Sequence, residues 1–80
     1  MKVVLKLPRL SMNMQEGTIS EWLKQPGDSF QAGEPIYSVE TEKVTTEVEA
    51  PCAGTMLEIL MPQGENAEVG VPVCRIEKVD

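Results

Sequence analysis

One lysine in this sequence, Lys43, stands in a strongly acidic setting. Carboxylates precede it at Glu40 and Glu42 and follow it at Glu47 and Glu49. Nearby negative charge favours the protonated form of a lysine, whereas a lysine that attacks a substrate must first lose that proton. The pattern therefore argues against catalysis by Lys43 itself. Two interpretations stay open: a solvated surface charge, which is the ordinary role of lysine, or an amine that another enzyme modifies.

The other residue types leave little for a self-contained enzyme. The chain has no histidine and only two cysteines, Cys52 and Cys74, so it lacks the commonest general base and the usual ligands of a zinc site. A chain of 80 residues is also too short to enclose a large cleft beside a core. We predict no catalytic residue and no metal site. The cysteines are expected to be reduced thiols of a bacterial cytoplasmic or mitochondrial-matrix protein, with a disulfide between them as the less favoured alternative.

The charge balance limits the choice of partner. The chain has 13 acidic and 7 basic residues, a net charge of -6, which opposes binding to nucleic acid or to anionic membrane surfaces. No apolar run approaches the roughly 18 residues of a membrane span. An acidic domain of this size fits better as a carrier that docks onto larger, locally basic enzymes.

An internal repeat indicates which elements position the lysine. The segment 17–23 (GTISEWL) recurs as 54–60 (GTMLEIL), a shift of 37 residues, and the following glycines and prolines keep the same spacing. Strand-favouring residues alternate with Gly and Pro turns, and no segment has the apolar period of a helix. The sequence therefore predicts an all-β fold of short strands whose two halves pack about an approximate two-fold axis. Apolar positions three residues apart indicate either bulges or a core on both faces.

Lys43 belongs to a predicted hairpin. Residues 37–40 and 44–48 have strand-like composition, and Thr41, Glu42 and Lys43 lie between them. Because this connection lacks glycine, we expect a type I turn rather than a primed one. The lysine would then lie at or beside the tip, where another enzyme can reach it.

A long loop is predicted to lie next to that tip. Compared with the second half, the first half carries six additional residues within the segment 9–16, and the two-fold repeat brings this segment to the end that bears Lys43. Its methionines, Met12 and Met14, have two interpretations: packing against the fold, or a soft contact surface for a partner. Trp22 is predicted to be a core residue because its counterpart in the repeat, Ile59, is aliphatic.

At this point the sequence resembles a known family. The run Glu40-Thr41-Glu42-Lys43-Val44 is similar to the Glu-Thr-Asp-Lys-Ala motif of lipoyl domains, which belong to the acyltransferase components of 2-oxo acid dehydrogenase complexes. Glu42 and Val44 depart from the commoner Asp and Ala but keep the charge and the apolar character. The resemblance covers essentially the whole chain and includes Pro8, Leu10, Met14, the run 16–19, Trp22, Gly27-Asp28, Gly33, Ile36, the run 49–51 and Gly54.

The resemblance implies a fold and a cofactor. The fold would be a flattened β-barrel, a barrel-sandwich hybrid of two four-stranded sheets with internal quasi-two-fold symmetry, formed by residues 1–80 as a single domain. A lipoate ligase or lipoyl transferase would join lipoic acid to Lys43. The attachment motif around it would consist of Glu40, Thr41, Glu42 and Val44.

The resemblance also implies partners. The lipoyl-lysine would be a swinging arm that carries acyl groups and electrons between a thiamine-diphosphate-dependent decarboxylase, an acyltransferase catalytic domain that is not in this chain, and dihydrolipoamide dehydrogenase. The loop is the predicted recognition element for the decarboxylase, since the arm is the same on every carrier, and the structural alternative is an ordered cover for the fold. The start of the loop is more similar to pyruvate- or acetoin-type carriers than to 2-oxoglutarate types. The residues assigned to partner recognition are Arg9, Leu10, Ser11, Met12, Asn13, Met14, Gln15 and Glu16.

Two other functions stay open from the sequence. A biotinyl domain has a similar fold, but its lysine usually sits between methionines, whereas Lys43 is flanked by Glu42 and Val44. An unmodified barrel used only for docking would have no need of the attachment motif. The isolated lipoyl domain is expected to be a monomer.

Overall fold

The fold consists of short antiparallel strands. A computed structural model describes residues 1–10, 12, 14–41 and 44–79, and within these ranges there is no helix, and so none that could cross a membrane. The all-β prediction is confirmed. The strands are β1 (Lys2–Lys6), β2 (Glu16–Trp22), β3 (Ser29–Phe30), β4 (Pro35–Thr41), β5 (Val44–Glu49), β6 (Gly54–Ile59), β7 (Asn66–Glu68) and β8 (Pro72–Lys78).

The strands form two sheets that repeat one topology. One sheet has the order β1-β8-β6-β3 and the other has the order β5-β4-β2-β7. A shift of 37 residues carries β2, β3 and β4 onto β6, β7 and β8, and β1 and β5 occupy equivalent edges. The two orders are therefore the same order in the two halves, which confirms the predicted quasi-two-fold relation.

Bulges explain part of the irregular apolar spacing. The strand register shifts between Ile19 and Glu21 on β2 and at the equivalent place, between Met56 and Glu58, on β6. The additional residue in each bulge lets Ile19 and Trp22 both be buried although they are three apart. The second explanation also applies, because four consecutive residues of β4, 36–39, are buried and successive side chains of a strand point to opposite faces.

Glycine turns hold the two halves together. Gly27 and its counterpart Gly64 have φ angles of 98° and 93°, in the left-handed region that favours glycine. The Gly27 N–H donates to the carbonyl of Met56 at 2.8 Å, and the Gly64 N–H donates to the carbonyl of Ile19 at 2.7 Å. Each turn is thus hydrogen-bonded to the bulged strand of the other half, so neither half is complete alone.

The core contains the tryptophan and one of the cysteines. Trp22 is buried, its Nε1–H donates to the carbonyl of Met61 at 2.8 Å, and its ring centroid lies 4.7 Å from that of Tyr37. The prediction that it is a core residue is confirmed. Both cysteines are free thiols, as preferred from the sequence. Burial raises the pKa of the Cys74 thiol to about 12, which keeps it protonated and unreactive.

Candidate functional site: the β4–β5 hairpin and its neighbouring loop

The hairpin of β4 and β5 ends at the pair Thr41 and Val44. The register runs without interruption from Tyr37 opposite Val48 to Thr41 opposite Val44. The two residues that join this last pair in the sequence are Glu42 and Lys43, which lie outside the described residues. The sequence interpretation was wrong by one residue on the strand side, because Thr41 pairs within β4 and does not belong to the connection. The predicted turn type falls outside the described residues as well.

The two side chains of the last pair of the hairpin are exposed to different extents. Val44 is 59% exposed, whereas Thr41 is half-buried. The Thr41 Oγ1–H donates a long hydrogen bond, 3.4 Å, to the carbonyl of Val44 across the connection. Thr41 therefore links the end of β4 directly to the residue that follows Lys43.

Strand β2 supports β4 from the other side. Thr18 of β2 pairs with Glu40, and Ile19 pairs with Val39. The preceding residue, Gly17, is buried, and the position that a Cβ would take there is 3.4 Å from Thr41 Cγ2. In the sequence Gly17 marked the repeat and belonged to the family resemblance, and its place beside the hairpin was not predicted. A glycine inside a strand-favouring run is itself a signal of a close approach.

The long loop reaches the same place. Met14 is buried, its Sδ accepts the Leu10 N–H at 3.2 Å, and its Cε is 3.2 Å from the Cβ position at Gly17. The described part of the loop thus lies next to Thr41, two residues before Lys43, in agreement with the geometry that the repeat predicted. Each of the two interpretations therefore fits one methionine. Met14 packs against the fold, whereas Met12 is 87% exposed and available to a partner.

The remaining recognition candidates differ in what the structure shows of them. Arg9, Gln15 and Glu16 are exposed, and the carbonyl of Gln15 accepts the Val69 N–H at 2.9 Å, which ties the end of the loop to the segment after β7. Ser11 and Asn13 lie outside the described residues. The exposed side chains among the described loop residues are therefore accessible to a partner, while the backbone is held at Gln15.

Charge is divided unevenly between the two sheets. Among the described residues, the strands of the β5-β4-β2-β7 sheet carry carboxylates and no cation, whereas those of the other sheet carry four cations and two carboxylates. An acidic face of this kind raises the rate of encounter with a basic partner. The carboxylates of the first sheet are Glu16, Glu21, Glu40, Glu47, Glu49 and Glu68, all exposed. The charged residues of the second are Lys2, Lys6, Glu58, Arg75, Glu77 and Lys78.

A cleft of about 230 Å³ opens between β1 and β5. Its walls are mainly apolar, and its only charged lining residues are Lys6 and Glu49. Lys6 and Glu49 do not form a pair of a nucleophile and a general base, the arrangement that is looked for in an enzymatic pocket. The described lining of the cleft therefore presents no such pair.

Comparison with known proteins agrees with this geometry. The family described as "Biotin-requiring enzyme", which unites biotinyl and lipoyl attachment domains, matches residues 3–76. The dihydrolipoyllysine-residue acetyltransferase component of the pyruvate dehydrogenase complex of Corynebacterium glutamicum is 42% identical over 90% of this chain and 11% of its own length. The dihydrolipoyllysine-residue succinyltransferase component of the 2-oxoglutarate dehydrogenase complex of Staphylococcus saprophyticus is 48% identical over 82% of this chain and 16% of its own length.

A solved structure covers the complete fold. The lipoyl domain of the 2-oxoglutarate dehydrogenase complex from Azotobacter vinelandii superposes with a TM-score of 0.77 at 28% identity, over 98% of this chain and 99% of that one. The chain thus spans only a small part of the two enzyme components but all of an isolated lipoyl domain. It belongs to the biotinyl- and lipoyl-attachment family and is a lipoyl domain, a carrier rather than the catalytic part of an acyltransferase component.

Proposed function

We propose that Lys43 carries lipoic acid and is the only attachment site of this domain. The observation that supports this most directly is the hairpin register, which leaves Glu42 and Lys43 as the sole link between the paired residues Thr41 and Val44. Strand β4 is paired on both sides, with β5 and with β2, so the position of its last residue, Thr41, is well supported.

The other lysines have different settings. Lys2 and Lys6 lie within β1, and Lys78 ends β8. Lys24 is partly buried, and its Nζ is 3.4 Å from a carboxylate oxygen of Glu34. None of these four lysines lies in a two-residue link between paired strands, which supports the proposal that Lys43 is the attachment site.

The residues of the hairpin fit a cofactor that must move. Lipoic acid in amide linkage supplies a dithiolane, which takes up an acyl group with two electrons at the end of an arm about 14 Å long. The exposed Val44 leaves space on the side of β5. The acidic residues Glu40 and Glu47 on the two strands give a modifying enzyme a charged surface to recognise.

We propose further that the domain serves a 2-oxo acid dehydrogenase complex of the pyruvate or acetoin type. Its partners would be a thiamine-diphosphate-dependent decarboxylase, an acyltransferase catalytic domain and dihydrolipoamide dehydrogenase, and attachment would be made by a lipoate ligase or lipoyl transferase. The enzyme components that the chain resembles support the class of complex. The type rests on the Leu10-Ser11-Met12 start of the loop. Tethering would convert successive encounters into reactions at raised effective concentration.

Modification of matched lysine variants tests the attachment. Lys43→Arg keeps the positive charge but removes the acylable amine, and Lys78→Arg makes the same change at the end of the equivalent strand β8. After expression with lipoate and a lipoate ligase, intact mass should show one lipoyl group on the parent protein and on Lys78→Arg, and none on Lys43→Arg. A lipoyl group on Lys43→Arg would refute the assignment, and a biotinyl group on the parent would establish the alternative cofactor.

A further inference from the structure

Gly17 lies where β2 comes closest to the end of β4. A Cβ at this position would overlap Val39 Cγ1 and would lie 3.2 Å from Met14 Cε and 3.4 Å from Thr41 Cγ2. Met14 Cε is the free end of a flexible side chain and can move aside. Val39 is completely buried and, as a β-branched residue, has little freedom in χ1, so it cannot.

Displacement of Val39 would be passed to the attachment segment. Val39 and Thr41 are two residues apart on β4 and therefore share one face of the strand, the face that Gly17 contacts. Thr41 is also hydrogen-bonded to the carbonyl of Val44. A larger residue at position 17 would thus push the last part of β4 at the point from which Glu42 and Lys43 continue.

The repeat contains a natural comparison for this contact. Gly54 on β6 is the counterpart of Gly17, and a Cβ there would overlap the backbone carbonyl oxygen of Glu77 on β8. Substitution of either glycine would disturb a strand pair of the same kind. Only Gly17 is next to the β4–β5 hairpin, so only its substitution should affect Lys43.

We infer that Gly17 is a positioning residue for lipoylation: the absence of a side chain there lets Val39 and Thr41 hold the end of β4 where the modifying enzyme requires Lys43. The inference rests on the proposed attachment at Lys43. It assigns a role to the strand behind the hairpin, beyond the motif that surrounds the lysine.

Kinetics of lipoylation with three variants test this role. Gly17→Ala should lower kcat/KM of a lipoate ligase about ten- to a hundredfold per folded molecule, the range expected for a reactive group misplaced by about 1 Å, mainly through kcat because the exposed surface is unchanged. Gly54→Ala should lose stability but keep the parent rate. The double variant Gly17→Ala with Val39→Ala should recover the rate of Val39→Ala alone, because the new methyl group then occupies the vacated space.

Equal rates for folded Gly17→Ala and Gly54→Ala, or failure of the double variant to recover, would overturn the inference. If Gly17→Ala does not fold, Thr41→Ser tests the role instead, since it deletes only the Cγ2 that faces Gly17 and keeps the hydroxyl. Slower lipoylation of Thr41→Ser would support the positioning role, and an unchanged rate would overturn it. The Val44 amide resonance gives a readout without cofactor and should shift in Gly17→Ala but not in Gly54→Ala. A parent domain left unmodified at Lys43 would refute the proposed function, while this resonance still tests the positioning role.

Discussion

The two methionines of the loop provide a matched test of how the loop is held. Met14 is buried and its Sδ accepts the Leu10 N–H, whereas Met12, two residues earlier, is 87% exposed. Replacing a buried methionine by alanine costs about 2–5 kcal/mol. We expect the low end, about 2–3 kcal/mol, for Met14→Ala, because a loop can collapse partly into the space. For Met12→Ala we expect a change within about 0.5 kcal/mol.

These costs are large for a domain of this size. A chain of 80 residues has a free energy of unfolding of about 4–12 kcal/mol, so Met14→Ala should remove a substantial part of it. The midpoint of thermal unfolding should fall by roughly 10–25 °C. The sole tryptophan, Trp22, is buried, so its fluorescence during urea unfolding reports the loss directly.

If Met14→Ala unfolds at the same urea concentration as the parent, the loop is not anchored through Met14. If Met12→Ala is as unstable as Met14→Ala, exposure does not separate the two residues. Either outcome would remove the physical basis for treating Met12 as the methionine that is available to contact a partner.

Three further expectations concern the arm, the loop and the core. By calorimetry, lipoylated and unmodified protein should have unfolding midpoints within a few degrees of each other, because an arm that projects into water buries almost no area. A large shift would mean that the arm packs on the sheets. Shortening the loop by six residues, to mimic the tight 51–54 turn, should lower stability through the loss of Met14. It should preserve lipoylation and slow reductive acylation by the cognate decarboxylase. An unchanged acylation rate would mean that the loop is purely structural. Trp22→Phe should lower the free energy of unfolding by about 1–3 kcal/mol, because the Met61 carbonyl loses its hydrogen bond. Unfolding followed by circular dichroism measures this change, and an unchanged value would show that water replaces the indole N–H without cost.

Much of the fold could be predicted because its determinants are local and occur twice. The 37-residue shift carries β4 onto β8 residue for residue, since glycine and proline occur at the same spacing at the start of both strands. The identical sheet orders follow from this repetition, and so does the place of the long loop.

What could not be predicted depends on contacts between elements. The extension of β4 through Thr41 is set by its pairing with Val44, and composition alone placed Thr41 in the connection. Met12 and Met14 are the same residue type in one loop, and only the packing over Gly17 separates them. Gly17 has no side chain, so its positioning role could be inferred only from its distances to Val39 and Thr41.

Acyl loading tests whether this domain is a lipoyl carrier through Lys43. Parent protein, lipoylated beforehand, would be incubated with pyruvate and a thiamine-diphosphate-dependent pyruvate decarboxylase component, and its intact mass would be followed beside that of unmodified parent and of Lys43→Arg. The lipoylated parent should gain one acetyl group, located on the peptide that contains Lys43, and neither control should gain any. A lipoylated parent that gains no acyl group from pyruvate, acetoin or 2-oxoglutarate with the corresponding enzyme, or an acetyl group carried by Lys43→Arg, would contradict this role.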